Sequence, residues 1–149
     1  MFFSTKEYGH EIGLSCCFRQ WRAHSHCNQL HGYALAVKFM FTATELDRCG
    51  WVVDFGGLKS LKQMLVDTFD HKLLVAEDDP WKDTICAMAG LGIASVVVVD
   101  ACGCEKFAEL IYQCAAQWLK DAGFSPRVHL VSVEVKEHGA NSAIYMGPK

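Results

Sequence analysis

The 149-residue chain is 51% hydrophobic and 21% charged, a balance that excludes disorder and suits a globular protein with a sizeable core. Its net charge of −3 offers no basic face to nucleic acid or anionic lipid, and no apolar run approaches the roughly 20 residues of a membrane span. The charged start Met1–Glu7 is unlike a signal peptide, and the eight cysteines read as free thiols in a reducing cytoplasm.

Taken in order, Ile12, Leu14, Cys16 and Phe18 fall on one face of a first strand, and Trp21 to His26 is a polar loop. Residues 30 to 42 alternate as a second strand, with Leu35, Val37, Phe39 and Phe41 on one side. Glu45 to Gly50 turns the chain. Asp54 is a helix cap, followed by Leu58, Leu61, Met64, Leu65 and Thr68 at helical spacing to about Phe69. Residues 76 to 102 stand apart: Glu77-Asp78-Asp79-Pro80 opens the passage, Trp81 to Gly90 suits a short helix, and Ser95 to Val99 is a β-branched run. A second long helix spans Glu105 to about Ala122, with Phe107, Leu110, Ile111, Cys114, Ala115 and Trp118 on its stripe and Gly123 as its C′ residue. Val128 to Lys136 alternates as a strand, residues 137 to 141 turn, and Ser142 to Met146 returns. The order ββααββ, with an insertion at 76–102 and no repeat or linker, predicts one α+β domain over 1–149.

Four groups could carry chemistry. Cys27 precedes His31 by four residues in a loop entering a strand, a pattern open to a metal site, an activated thiolate, or plain loop polarity. Asp70-His71 follows a helix end, where an aspartate can orient an imidazole for proton transfer. Glu137 is a carboxylate at the end of an apolar strand, able to accept a ligand's N–H groups. Asp54 is the fourth, read as a cap. His10 at a strand start reads as exposed, His129 as an ordinary strand residue, and Cys102-Gly103-Cys104 as thiols packed by the second helix.

Together these blocks resemble the 6-pyruvoyl-tetrahydropterin synthase and 6-carboxy-tetrahydropterin synthase family. The family's Cys-x-x-x-His-Gly-His is represented by Cys27-Asn28-Gln29-Leu30-His31-Gly32-Tyr33, and its Asp-Phe-Gly-x-Leu-Lys by Asp54 to Lys59. Its Leu-Asp-His is represented by Phe69-Asp70-His71, and its C-terminal glutamate block by Glu137-His138 with Ala143 and Tyr145 in step. The resemblance implies the tunnelling fold, an antiparallel sheet with two helices on one face. It implies homo-oligomers, trimers whose sheets close a barrel and hexamers of two trimers, with active sites between subunits. It implies a carbon–oxygen lyase acting on 7,8-dihydroneopterin triphosphate, in the 6-carboxy branch that feeds 7-deazaguanine (queuosine) synthesis. Carried over by position, Cys27 is the thiolate base, Asp70 and His71 the proton relay, and Glu137 the anchor of the pterin N–H groups.

The family's zinc is held by three histidines, and here the set is altered. His31 stands in place, Tyr33 replaces the second histidine, and counting back along the first strand places the remaining ligand at Cys16. His24 or His26 from the loop would complete a rebuilt site, with Cys16, His31 and His26 as its ligands; otherwise the metal is lost. The changed ligands and the insertion leave two alternatives to the 6-carboxy lyase. One is a 6-pyruvoyl synthase or a homologue cleaving the dihydroneopterin side chain by a retro-aldol step. The other is a non-catalytic pterin or purine binder.

Overall fold

The computed structural model describes residues 1–148. Its strands are β1 (Phe2–Tyr8), β2 (Leu14–Phe18), β3 (His31–Ala43), β4 (Lys72–Ala76), β5 (Val96–Val99), β6 (His129–His138) and β7 (Asn141–Met146). Its helices are α1 (Lys59–Phe69), α2 (Lys82–Gly90) and α3 (Cys104–Asp121). The long β3 is the axis of the sheet, whose order is β5-β4-β2-β3-β6-β7 with β1 beside the far half of β3. The pairs of β3 with β1, β2 and β6, and of β6 with β7, are antiparallel, as the tunnelling fold requires.

The alternation of β3 explains that role. Leu35, Val37, Phe39 and Phe41 are fully buried, while Lys38, Met40 and Thr42 point to the opposite face. α1 and α3 cover the apolar face, burying Leu61, Leu65 and Phe69 from one and Phe107, Ala108, Ile111, Ala115 and Leu119 from the other. Both stripes recur every three or four residues, so each helix gives the sheet one face and solvent the other. Asp54 does cap, but it caps the 3-10 turn Phe55–Leu58 that leads into α1, accepting the Gly56 N–H at 2.9 Å. Gly123, at φ +78°, ends α3 by donating its N–H to the Lys120 carbonyl.

Three features differ from the sequence-based expectation. The predicted first strand is β2, with Ile12 in the turn His10–Ile12 ahead of it, and a further strand, β1, precedes that turn; the early charges Lys6 and Glu7 disguise β1, which is fixed by pairing with β3. β4 is unexpected too, and it runs parallel to both β2 and β5. Its Leu74 and Ala76 join the main core while Leu73 and Val75 pack with Ile85 of α2 on the other face. A strand buried on both faces shows no alternation to read. The 76–102 insertion is therefore not an appended loop: it contributes α2 and β5 and widens the sheet. Cys114 and His10 also depart: Cys114 is exposed, and the His10 ring is partly buried, with Nδ1 on the Ala34 carbonyl. Among the described residues, no helix is long and apolar enough to cross a membrane.

Candidate functional site

Cys27, Tyr33, Cys104 and Glu137 lie near one another where β3, β6 and the start of α3 meet, whereas Asp70 and His71 stand apart at the junction of α1 and β4. Cys27 sits in the 3-10 turn His26–Asn28, capped by Ser25, and its carbonyl accepts the Gln20 N–H at 2.9 Å. His31 opens β3, and its Nδ1 lies 2.7 Å from the Gln29 carbonyl. A carbonyl only accepts, so Nδ1 is the donor in this contact, and in the neutral ring Nε2 is the nitrogen left able to accept. Gly32 is required between His31 and Tyr33 because a Cβ there would sit 2.7 Å from the Cys16 carbonyl. Tyr33 is the hub: burial, then the charges of Glu137, Cys27 and Cys104, raise the pKa of its phenol. Its ring also lies 6.3 Å from that of His138.

Glu137 is half-buried at the end of β6, where the pairing with β7 shifts register between Lys136 and His138. Such a bulge re-aims a side chain at a sheet's end. Beside it stands the buried Cys104, the first residue of α3. Burial first, then the carboxylates of Glu137 and Glu105, pushes its thiol up to about 12, so it is a neutral thiol at physiological pH. The sequence placed Cys104 correctly against the helix, but its adjacency to Glu137 joins residues 33 apart and has no local signal. Gly103 (φ +118°) precedes it, and a Cβ there would collide with the Gln20 side chain beside the turn of Cys27.

Asp70 and His71 form the expected pair, with His71 Nδ1 2.8 Å from Asp70 Oδ1. The carboxylate accepts a hydrogen bond from Nδ1–H, which orients the ring and leaves Nε2 facing away from Asp70. His71 is the one non-glycine residue with positive φ (57°) among those described. Its N–H donates to the Ser15 carbonyl at 2.7 Å, turning the chain from α1 into β4 and leaving the side chain 87% exposed. Non-glycine residues held in that conformation are uncommon and concentrate at functional sites.

The expected zinc ligands Cys16, His31 and His26 are not gathered. Among the described residues no three His, Cys, Asp or Glu side chains are grouped to hold a metal ion. The register explains why: Phe18 lies directly across from His31, and Cys16 across from Tyr33. His26 stays exposed in the turn, and the Cys16 thiol is buried and pushed up to about 12, chiefly by that burial. What occupies the sheet face at His31 is a triangle of rings. Phe18 and His31 are 5.2 Å apart between centroids, His31 and Tyr33 5.5 Å, and Phe18 and Tyr33 6.1 Å. Phe18 offers no donor and Tyr33 a protonated phenol, so the set does not fit a three-histidine zinc.

Comparison with known proteins gives one consistent result. A model of the family described as 6-pyruvoyl tetrahydropterin synthase matches residues 9–148. A protein of Aquifex aeolicus named 6-carboxy-5,6,7,8-tetrahydropterin synthase is 24% identical over 148 residues, covering 93% of this chain and 91% of that one. A Rickettsia typhi protein of the same name is 37% identical over 54 residues, 36% of this chain, and the match spans only 39% of that protein's length. An uncharacterized Wolinella succinogenes protein shares the fold with TM-score 0.84 at 20% identity, over 99% of this chain and 98% of its own. The Plasmodium falciparum 6-pyruvoyl tetrahydropterin synthase follows at TM-score 0.66 and 14% identity, over 96% of each chain.

Proposed function

This chain belongs to the 6-pyruvoyl tetrahydropterin synthase family, and from that premise we propose that it is a pterin-forming lyase acting on 7,8-dihydroneopterin triphosphate. The activity that its named relatives favour is that of 6-carboxy-5,6,7,8-tetrahydropterin synthase, in the 7-deazaguanine pathway. The observation that carries the reading is that Cys27 and Glu137, far apart in sequence, both lie near enough to Tyr33 for their charges to raise the pKa of its phenol.

In this mechanism Glu137 accepts hydrogen bonds from the amino and ring N–H groups of the pterin and so sets the heterocycle's place. That holds the three-carbon side chain over the turn of Cys27, whose thiolate takes a carbon-bound proton and opens the way to loss of triphosphate. His71 Nε2, with Asp70 behind Nδ1, returns or removes the proton on the hydroxyl side. The protonated phenol of Tyr33 donates a hydrogen bond to a side-chain oxygen. No step runs through zinc, because the residues at the family's metal position do not fit it. The exposure of His71 supports a site completed between subunits of a homo-oligomer, trimer or hexamer. Eight free cysteines support a cytoplasmic setting.

The test supplies 7,8-dihydroneopterin triphosphate and follows triphosphate and pterin products by chromatography. Triphosphate release that falls by roughly 10²–10⁴ in Cys27→Ala supports the lyase. Turnover indifferent to Cys27 refutes it. The filling of the metal position by Phe18 and Tyr33 favours a second reading, retro-aldol cleavage of the dihydroneopterin side chain. With 7,8-dihydroneopterin supplied in a parallel reaction, its conversion to 6-hydroxymethyl-7,8-dihydropterin and glycolaldehyde, while 7,8-dihydroneopterin triphosphate is left unreacted, would select that one. A pterin bound but never converted would leave a binding protein.

A further inference from the structure

We propose that Arg19 and Asp79 are positioning residues: their ion pair fastens the 76–102 insertion to the turn of Cys27 and holds that thiol in place for reaction. The inference rests on the assignment of Cys27 as the base. Arg19 ends the run of β2 into the loop, and its fork reaches two partners at once. Nη2 and Nε donate to the two carboxylate oxygens of Asp79 at 2.7 and 2.8 Å, and Nη1 donates to the Asn28 carbonyl at 3.0 Å. Asn28 is the residue after Cys27 and belongs to the same turn. Asp79 is only 5% exposed, and its Oδ1 also accepts the Trp81 N–H at 2.8 Å, just ahead of α2. One carboxylate therefore ties the loop before Cys27, the turn after it and the helix of the insertion.

The other hydrogen bonds within this loop are local. Gln20 to Cys27, Ala23 to Gln20, Asn28 to Ser25 and Gln29 to His26 close the segment on itself without attaching it to a neighbouring element. A second attachment to the insertion is made by Asp78, which accepts from Trp21 Nε1 at 3.1 Å and Arg22 Nη2 at 2.6 Å. Arg22 and Asp78 are largely exposed, however, so solvent screens that pair and leaves it little weight. The Arg19–Asp79 pair is buried on the Asp79 side, and its fork fixes direction as well as distance. Buried ion pairs contribute little net stability, and their best-attested use is to select one arrangement over others. The Asp79 carboxyl is held below its ordinary range, first by the hydrogen bonds from Arg19, so the pair is charged at neutral pH.

The test uses the full chain with Arg19→Lys, which keeps the charge but cannot bridge Asp79 and Asn28, with Asp79→Asn, and with Arg22→Ala as the control. Amide exchange resolved along the chain should rise at least tenfold over residues 25–30 in the first two variants and stay within twofold across β3 residues 35–41. On 7,8-dihydroneopterin triphosphate, kcat should fall at least tenfold with KM within twofold, and Arg22→Ala should change neither. Unchanged exchange at 25–30 in both variants overturns the proposal whatever the activity. Raised exchange with an unchanged kcat also overturns it, showing that the turn is held but the thiol is not positioned. If the wild-type protein turns over nothing, the lyase reading fails on its own. The clamp is then decided by iodoacetamide alkylation: the rate at Cys27 must change at least fivefold in both variants, with exposed Cys114 as the reference thiol, and an unchanged rate refutes it.

Discussion

The double substitution Phe18→His with Tyr33→His should create a zinc site in this protein. Three imidazoles bound tetrahedrally, each with nitrogen about 2.0–2.1 Å from the metal, place their ring centroids about 5 Å apart. The existing triangle of Phe18, His31 and Tyr33 has sides of 5.2, 5.5 and 6.1 Å, so the backbone already holds three positions at the needed spacing. His31 contributes a free Nε2 because its Nδ1 is engaged by Gln29. Phe18 is fully buried and meets Phe107 edge-on at 5.0 Å, so shrinking it to histidine costs about 2–4 kcal/mol without metal. Zinc at 100 times its dissociation constant restores about 2.7 kcal/mol, a rise in Tm of roughly 8–10 °C for a chain of this size. Elemental analysis should find about one zinc per chain in the double variant, and thermal unfolding with and without zinc should show the shift. Tyr33→His alone, with Phe18 in place, should show neither. Two results would refute the reasoning: a double variant that gains no zinc, or a wild-type protein that already holds one zinc per chain and loses it in His31→Ala. The second would mean that donors such as Cys16 and His26 move together after all.

Further consequences follow from packing, backbone and charge. Phe107→Ala removes a fully buried ring wedged between Phe18 and Phe69, whose centroids lie 5.0 and 5.3 Å away, and should cost about 3–5 kcal/mol in urea unfolding. His71→Asn should keep stability within about 0.5 kcal/mol, since asparagine tolerates the left-handed conformation, while abolishing the proposed proton relay; His71→Val should cost about 1–3 kcal/mol. Asp79 has a folded-state pKa below its unfolded value near 3.9. Its contribution is therefore present above that unfolded value and is lost as pH falls through the depressed folded one. Urea midpoints measured from about pH 5 down to pH 2 should fall more steeply for the wild-type protein than for Asp79→Asn; parallel curves would show that the pair is not formed in solution.

The elements that carry a periodic signal were legible in the sequence: β3, α1, α3 and β6 each bury one face and leave the other more open, and β7 alternates between part-buried and exposed residues. The two strands that were not, β1 and β4, fail for opposite reasons. β1 is a mostly exposed strand whose charges mask it, and β4 is buried on both faces and shows only a short apolar run. Cys27, Asp70, His71 and Glu137 stand out as candidates in the sequence because each sits in a short motif. Arg19 and Asp79 were not, because they lie 60 residues apart and meet only once β4 places the insertion beside β2.

The metal position shows where alternation stops being informative. Leu14, Cys16 and Phe18 all fall on the buried face of β2, so period-two patterning assigns that face correctly without distinguishing its members. A shift of one residue would expose every core side chain, and the hydrophobic effect forbids it. A shift of two leaves the pattern intact, yet it changes which side chain stands opposite His31 from a thiol that could bind zinc to a phenyl ring that cannot. Only the ladder between β2 and β3 decides between them, and it pairs Phe18 with His31. The aromatic edge contact from Phe18 to Phe107 of α3 supports that choice, because Cys16 in the same place would leave a void where the ring now packs. The packing that secures the start of α3, and with it Cys104 beside Glu137, is thus the same packing that removes a ligand from the metal position.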